Sequence, residues 1–112
     1  MNSRRIDKAI MAIVGKLVSR YRPERIILFG SYADGNPRSG SDMDILIIKK
    51  TKKRARDRRI EVKKILDTPI SLPPVDAIVM TPAEIRRRLE LTDDFIRTIM
   101  ARGRVLYDKE NA

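Results

Sequence analysis

The chain has 112 residues, the size of one domain, with 42% hydrophobic and 36% charged residues and a formal net charge of +10. It contains no Cys and no His, which excludes disulfides, thiolate nucleophiles, imidazole bases and zinc sites built on either ligand. Any chemistry must therefore come from carboxylates, hydroxyls, amines and a hard cation held by oxygen.

Ile6, Ile10, Ile13, Val14, Leu17, Val18 and Tyr21 recur at helical spacing, predicting an amphipathic helix over residues 4–21 that Pro23 stops. Arg25 to Phe29 is a short apolar run ending at Gly30 and reads as a buried strand. The following GSYADGNPRSGS is too polar for core and too long for a hairpin turn. A second strand is expected over Asp42–Ile48, a helix over Lys52–Leu66, and a third strand over Val75–Met80. Thr81-Pro82-Ala83-Glu84 has the layout of a capping box. Thr92-Asp93-Asp94 opens a further helix, Gly103 ends it, and Val105-Leu106-Tyr107 is a last strand. Met80, Met100, Leu89 and Leu91 read as core. The order predicts one α+β domain over 1–112: a small mixed sheet of about four strands, with helices packed on one face in a two-layer arrangement.

Asp42 and Asp44 are two apart on the second strand, so their carboxylates share a face, and the following Ile45-Leu46-Ile47-Ile48 is apolar. Like charges at the mouth of an apolar strand repel, and desolvation adds to the cost. A divalent cation relieves both. Asp76 likewise opens an apolar strand, and adjacency of the two strands would bring three carboxylates together. This oxygen-only set suits Mg²⁺ or Mn²⁺. Gly30-Ser31, directly after the first strand, offers close backbone approach and a hydroxyl to a phosphate. Neither a P-loop nor a dinucleotide-binding glycine motif is present. Taken singly, each feature is also read as an ordinary turn or a solvated strand end.

Gly30-Ser31, ten residues, then Asp42-Met43-Asp44 resembles the G-S-x10-D-x-D signature of the minimal nucleotidyltransferases in the DNA polymerase β-like superfamily. ILFGSYADGNPRSGSDMDILII is similar to that family's central block. Val75-Asp76-Ala77 is similar to its third-carboxylate strand, and GRVLY at 103–107 to its C-terminal ending. The resemblance implies the nucleotidyltransferase fold. It also implies two Mg²⁺ ions (or Mn²⁺) held by Asp42, Asp44 and Asp76, which act as catalytic and metal-binding residues, and nucleotide contacts at Gly30, Ser31, Arg38 and Ser41. The chain departs at Asp34, where the family usually carries Arg; Arg38, in the same loop, is the substitute. The implied reaction is transfer of a nucleoside monophosphate, AMP from ATP, to a hydroxyl. Single-domain members resemble antitoxins of prokaryotic toxin–antitoxin modules, so the implied acceptor is a tyrosine of a HEPN-domain partner toxin.

Two alternatives stand beside this reading. Residues 49–64 hold ten Lys or Arg against two acids, or +8 of the chain's +10. Such a Lys49–Lys64 stripe fits a nucleic acid, as ligand or as acceptor, or else a solvated helix face. None of the five aromatic residues lies in it, which argues against base stacking there. The second alternative is a catalytically degenerate module that binds its partner without chemistry. Self-association as a homo-oligomer is compatible with the sequence. No apolar run approaches the ~20 residues of a membrane span, and MNSRRIDKAI lacks the apolar core of a signal peptide. A cytoplasmic protein is expected.

Overall fold

The computed structural model describes residues 3–35, 42–67 and 73–111. Four strands, β1 (Arg25–Phe29), β2 (Met43–Ile48), β3 (Val75–Met80) and β4 (Arg104–Asp108), form one mixed sheet in the order β3-β2-β1-β4. β1 runs antiparallel to both neighbours, whereas β2 and β3 are parallel. Among the described residues four α-helices complete it: α1 (Ser3–Arg20), α2 (Ala55–Ile65), α3 (Pro82–Glu90) and α4 (Asp94–Arg102). The parallel pair needs a crossover, and α2 supplies it. None of these helices is long and apolar enough to cross a membrane, among the described residues.

The mixed four-stranded sheet agrees with the expected class. The two longest helices, α1 and α2, do share one face: Ile10, Ile13, Leu17 and Val62 pack on Ile26, Leu28, Met43, Ile45 and Ile47. The shorter α3 and α4 cover the opposite face, where Ile85, Ile96 and Ile99 pack on Ile27, Leu46, Ile48 and Met80. The reason is legible in the strands. Ile26-Ile27-Leu28 and Ile45-Leu46-Ile47-Ile48 are buried throughout, and a strand apolar on both faces needs cover on both.

Element ends follow local chemistry. Arg22, at φ +54, donates its N–H to the Leu17 carbonyl and closes α1 just before Pro23, a residue that disfavours helical backbone at the position preceding it. α2 starts at Ala55 rather than Lys52, because the Thr51 hydroxyl accepts the Lys53 N–H at 3.1 Å and holds residues 51–53 in a turn. Asp93 caps α4 by accepting the Ile96 N–H at 3.1 Å. Gly103 ends α4 at φ −65, so left-handed backbone is not its purpose. A Cβ there would lie 2.5 Å from Ile27 Cγ2, and glycine is what lets α4 approach β1. Leu89 and Leu91, expected in the core, are 37% and 59% exposed; α3 buries one residue, Ile85, and the residues after it, 86–91, are all exposed.

The basic stretch is partly structural. Lys49 donates to the Tyr21 carbonyl and stands 4.6 Å from that ring's centroid. Arg58 is buried, donating Nε to the Lys53 carbonyl at 2.7 Å and Nη1 to Glu84 Oε1 at 2.6 Å. The same Glu84 oxygen accepts the Thr81 N–H at 2.8 Å while Thr81 Oγ1 accepts the Glu84 N–H, completing the capping box. One carboxylate therefore joins α2 to the start of α3 around edge strand β3.

Burial pushes the Glu84 carboxyl up, but the hydrogen bonds from Arg58 and Thr81 outweigh it and hold it below its ordinary 4.5. A lowered folded-state pKa stabilises the fold above 4.5 and loses that contribution as pH falls below it. Replacing Glu84 by Ala should cost about 1–2 kcal/mol at neutral pH, through the lost cap and an unpaired Arg58. Glu84→Gln should cost less. Denaturant titrations across pH should show the Gln variant converging on the parent in acid.

Candidate active site

The three motif carboxylates lie at the same end of the sheet. In the antiparallel β1/β2 register Phe29 faces Asp44, and in the parallel β2/β3 register Asp44 faces Asp76. Cross-strand partners project to the same face. Strand alternation puts Asp44 in line with Leu46 and Ile48, and Asp76 in line with Ile78 and Met80, all of which belong to the α3/α4 side. Asp44 is half-buried, whereas Asp76 and Asp42, just ahead of β2, are exposed. The parallel register decides this gathering: a one-residue slip of β3 would turn Asp76 to the other face.

Electrostatics tie the three together. Burial, then the charge of Asp76, then that of Asp42 raise the Asp44 carboxyl above its ordinary 3.8. Each is a reason for the charged form to be unfavourable by itself. Among the described residues, no group of three or more Asp, Glu, His or Cys side chains is arranged to hold a metal ion as it stands. The donor chemistry nonetheless fits a hard divalent cation: mutually repelling carboxylates, all-oxygen ligands, and an open side toward solvent.

The link from β1 to the loop supplies the second half of the site. Gly30–Tyr32 forms a single 3₁₀ turn, whose Gly30 carbonyl accepts the N–H groups of Ala33 and Asp34 at 3.1 and 3.2 Å. Tyr32 is buried in the α1/α2 core and anchors the turn, while Ser31 is half-buried and Asp34 exposed. Gly30 sits at φ +75, and a Cβ on it would lie 2.5 Å from Asp44 Oδ2. Its lack of a side chain is thus needed by the neighbouring carboxylate, a second role that the motif spacing does not reveal. Phe29, also missed by sequence reasoning, stands beside Asp44 in the register; its place directly before Gly30-Ser31 is the available signal. Arg38 and Ser41 lie outside the described residues.

A cleft of about 540 Å³ between the sheet and α3 is lined by Arg25, Ile48, Pro82, Ile85 and Asp108, among others. Arg25 pairs with Ile48 at the far end of β1 from Phe29 and Asp44. The cleft therefore stands about 13 Å of strand away from the carboxylates.

Gly30→Ala should destabilise by about 1–3 kcal/mol, from the positive φ and the displaced Asp44 carboxylate. Gly35→Ala is the matched control, since Gly35 has φ +77 with nothing within 4 Å of its Cβ position. Denaturant melts of the two should show the larger loss at Gly30.

Comparison with known proteins places the fold in a family. A family model described as a nucleotidyltransferase domain matches residues 10–106. A Methanocaldococcus jannaschii protein, named provisionally as a protein adenylyltransferase, is 32% identical over 108 residues, covering 90% of this chain and 97% of its own. A crystal structure from Sulfolobus solfataricus, titled provisionally as a nucleotidyltransferase, superposes with a TM-score of 0.64 at 22% identity, covering 100% of this chain and 94% of that one, a likeness of fold. With its matched domain spanning β1, β2, β3 and the start of β4, the chain belongs to the nucleotidyltransferase domain family and is a nucleotidyltransferase.

Proposed function

We propose that this nucleotidyltransferase moves AMP from ATP to a hydroxyl on another molecule, a tyrosine of a HEPN-domain partner protein, in an antitoxin role. The observation that carries the transfer chemistry is the shared end of the sheet: Asp42 and Asp76 both within electrostatic reach of Asp44, beside the Gly30-Ser31 turn. The protein acceptor draws support from the name of the M. jannaschii relative. The tyrosine and the HEPN partner rest on the resemblance of the motif block to single-domain antitoxins.

Asp42, Asp44 and Asp76 would hold Mg²⁺ or Mn²⁺, which supplies charge neutralisation at a triphosphate and acidifies an acceptor hydroxyl. The chain's own part is to position and to move a proton. Gly30 and Ser31 would receive the β and γ phosphates at the 3₁₀ turn, with Arg38 and Ser41 contributing from the loop. Asp76, exposed at the foot of β3, would accept the acceptor's hydroxyl proton. The oxygen then forms its bond to the α-phosphorus, the bond from that phosphorus to the bridging oxygen breaks, and pyrophosphate leaves with the electron pair.

Asp42→Asn combined with Asp44→Asn should reduce labelled-AMP transfer, assayed with Mg²⁺ and the partner protein, by at least about 100-fold. The same variant should melt no lower than the parent, because it removes like-charge repulsion. Transfer at the parent's rate in the double variant would overturn the assignment of these residues.

The exposed part of the 49–64 stretch supports a second use of the surface. Lys50, Lys52, Arg54, Arg56, Arg59, Lys63 and Lys64 are all exposed, on a crossover separate from the carboxylates. RNA held there should dissociate steeply with added salt and bind the Asp42/Asp44 double variant unchanged, in a filter-binding or anisotropy titration.

A further inference from the structure

The chain has two Phe and no Trp, and the tertiary structure brings both Phe together at the carboxylate end of the sheet. Phe29 is the cross-strand partner of Asp44, and its ring meets that of Phe95 edge to face, with centroids 5.7 Å apart and planes at 87°. Phe29 packs into the α3/α4 core, while Phe95, in the first turn of α4, is 52% exposed. Single exposed apolar residues are ordinary. This one differs because it is a ring fixed by a second ring, which itself stands beside the half-buried carboxylate. Cross-strand neighbours are about 5 Å apart. With the ring spacing as the second leg, Phe95 lies within about 10 Å of Asp44. An α-phosphate held near Asp44 through a cation, followed by a ribose, carries the base outward in this direction.

We propose that Phe95, held by Phe29, is the stacking platform for the base of the donor nucleotide. The inference rests on the nucleotidyltransfer reading of Asp42, Asp44 and Asp76, and extends it to a residue outside the motif. Phosphate contacts alone would hold any triphosphate; an exposed aromatic face adds affinity for the planar end. Stacking on an aromatic side chain contributes about 1–3 kcal/mol per base, roughly 5- to 150-fold in affinity. Phe95 is a positioning residue here, since it touches the base and not the reacting atoms.

The test compares ATP with inorganic tripolyphosphate, each with Mg²⁺, in calorimetric titrations of the full chain. Phe95→Ala should weaken ATP by about tenfold and leave tripolyphosphate unchanged. Phe95→Trp should restore ATP affinity. Its indole, the protein's lone tryptophan, should be quenched by ATP and not by tripolyphosphate. Equal affinities of Phe95→Ala and parent for ATP would overturn the proposal, as would equal losses for both ligands. So would an unchanged ATP affinity with a raised KM for the acceptor, which would place the ring on the acceptor's side. Parent protein that binds neither ligand would instead defeat the transfer reading itself.

Discussion

Strand β2 is apolar on both faces for most of its length and carries a carboxylate near its start, and the rest of the molecule is arranged around that combination. Leu46 and Ile48 need cover on one side, Ile45 and Ile47 on the other. Two pairs of helices provide it. β1 and β3 occupy both edges of β2, so its backbone is paired on each side as well. What stays open is the end where β2 begins. Asp44 sits there, half-buried and partly desolvated at the edge of the core. The cost of that position shows in its raised pKa.

Neighbouring features serve this end of the sheet. Gly30 gives Asp44 room, and the Tyr32 side chain anchors the turn that follows. The Arg58–Glu84 pair acts at a distance. It ties the crossover helix to the cap of α3, and thereby restrains edge strand β3, whose register keeps Asp76 beside Asp44. A buried cation in α2 thus supports the geometry of an acidic cluster it never touches. The basic stretch around it divides accordingly: Lys49 and Arg58 are structural, whereas most of the other cations face solvent and are free to meet an anionic surface.

Much of this architecture is legible in the order of the amino acids. The helical spacing in α1, the capping box at Thr81–Glu84 and the apolar runs of β1, β2 and β3 are local signals, and each element forms where its signal lies. The G-S-x10-D-x-D spacing also points to the Gly30–Tyr32 turn and to two of the carboxylates. Less legible are boundaries decided by single side chains. Thr51 delays α2 by three residues, and Gly103 is small because Ile27 lies against it. Leu89 and Leu91 read as core from composition, yet nine-residue α3 buries a single residue, Ile85.

By itself the sequence determined which chemistry is available. Without Cys or His, carboxylates, hydroxyls and amines remain, and any metal must be held by oxygen; local propensity and hydrophobic period set the order of strands and helices. The tertiary structure decided which residues meet. Asp76 is more than thirty positions from Asp44, and only a parallel crossover places them side by side. Phe95 reaches Phe29 only because α4 folds back over the sheet, and Arg58 finds Glu84 only around the edge of β3. Contacts between distant segments depend on register and packing, which are properties of the closed sheet and its two covered faces rather than of any short stretch of chain.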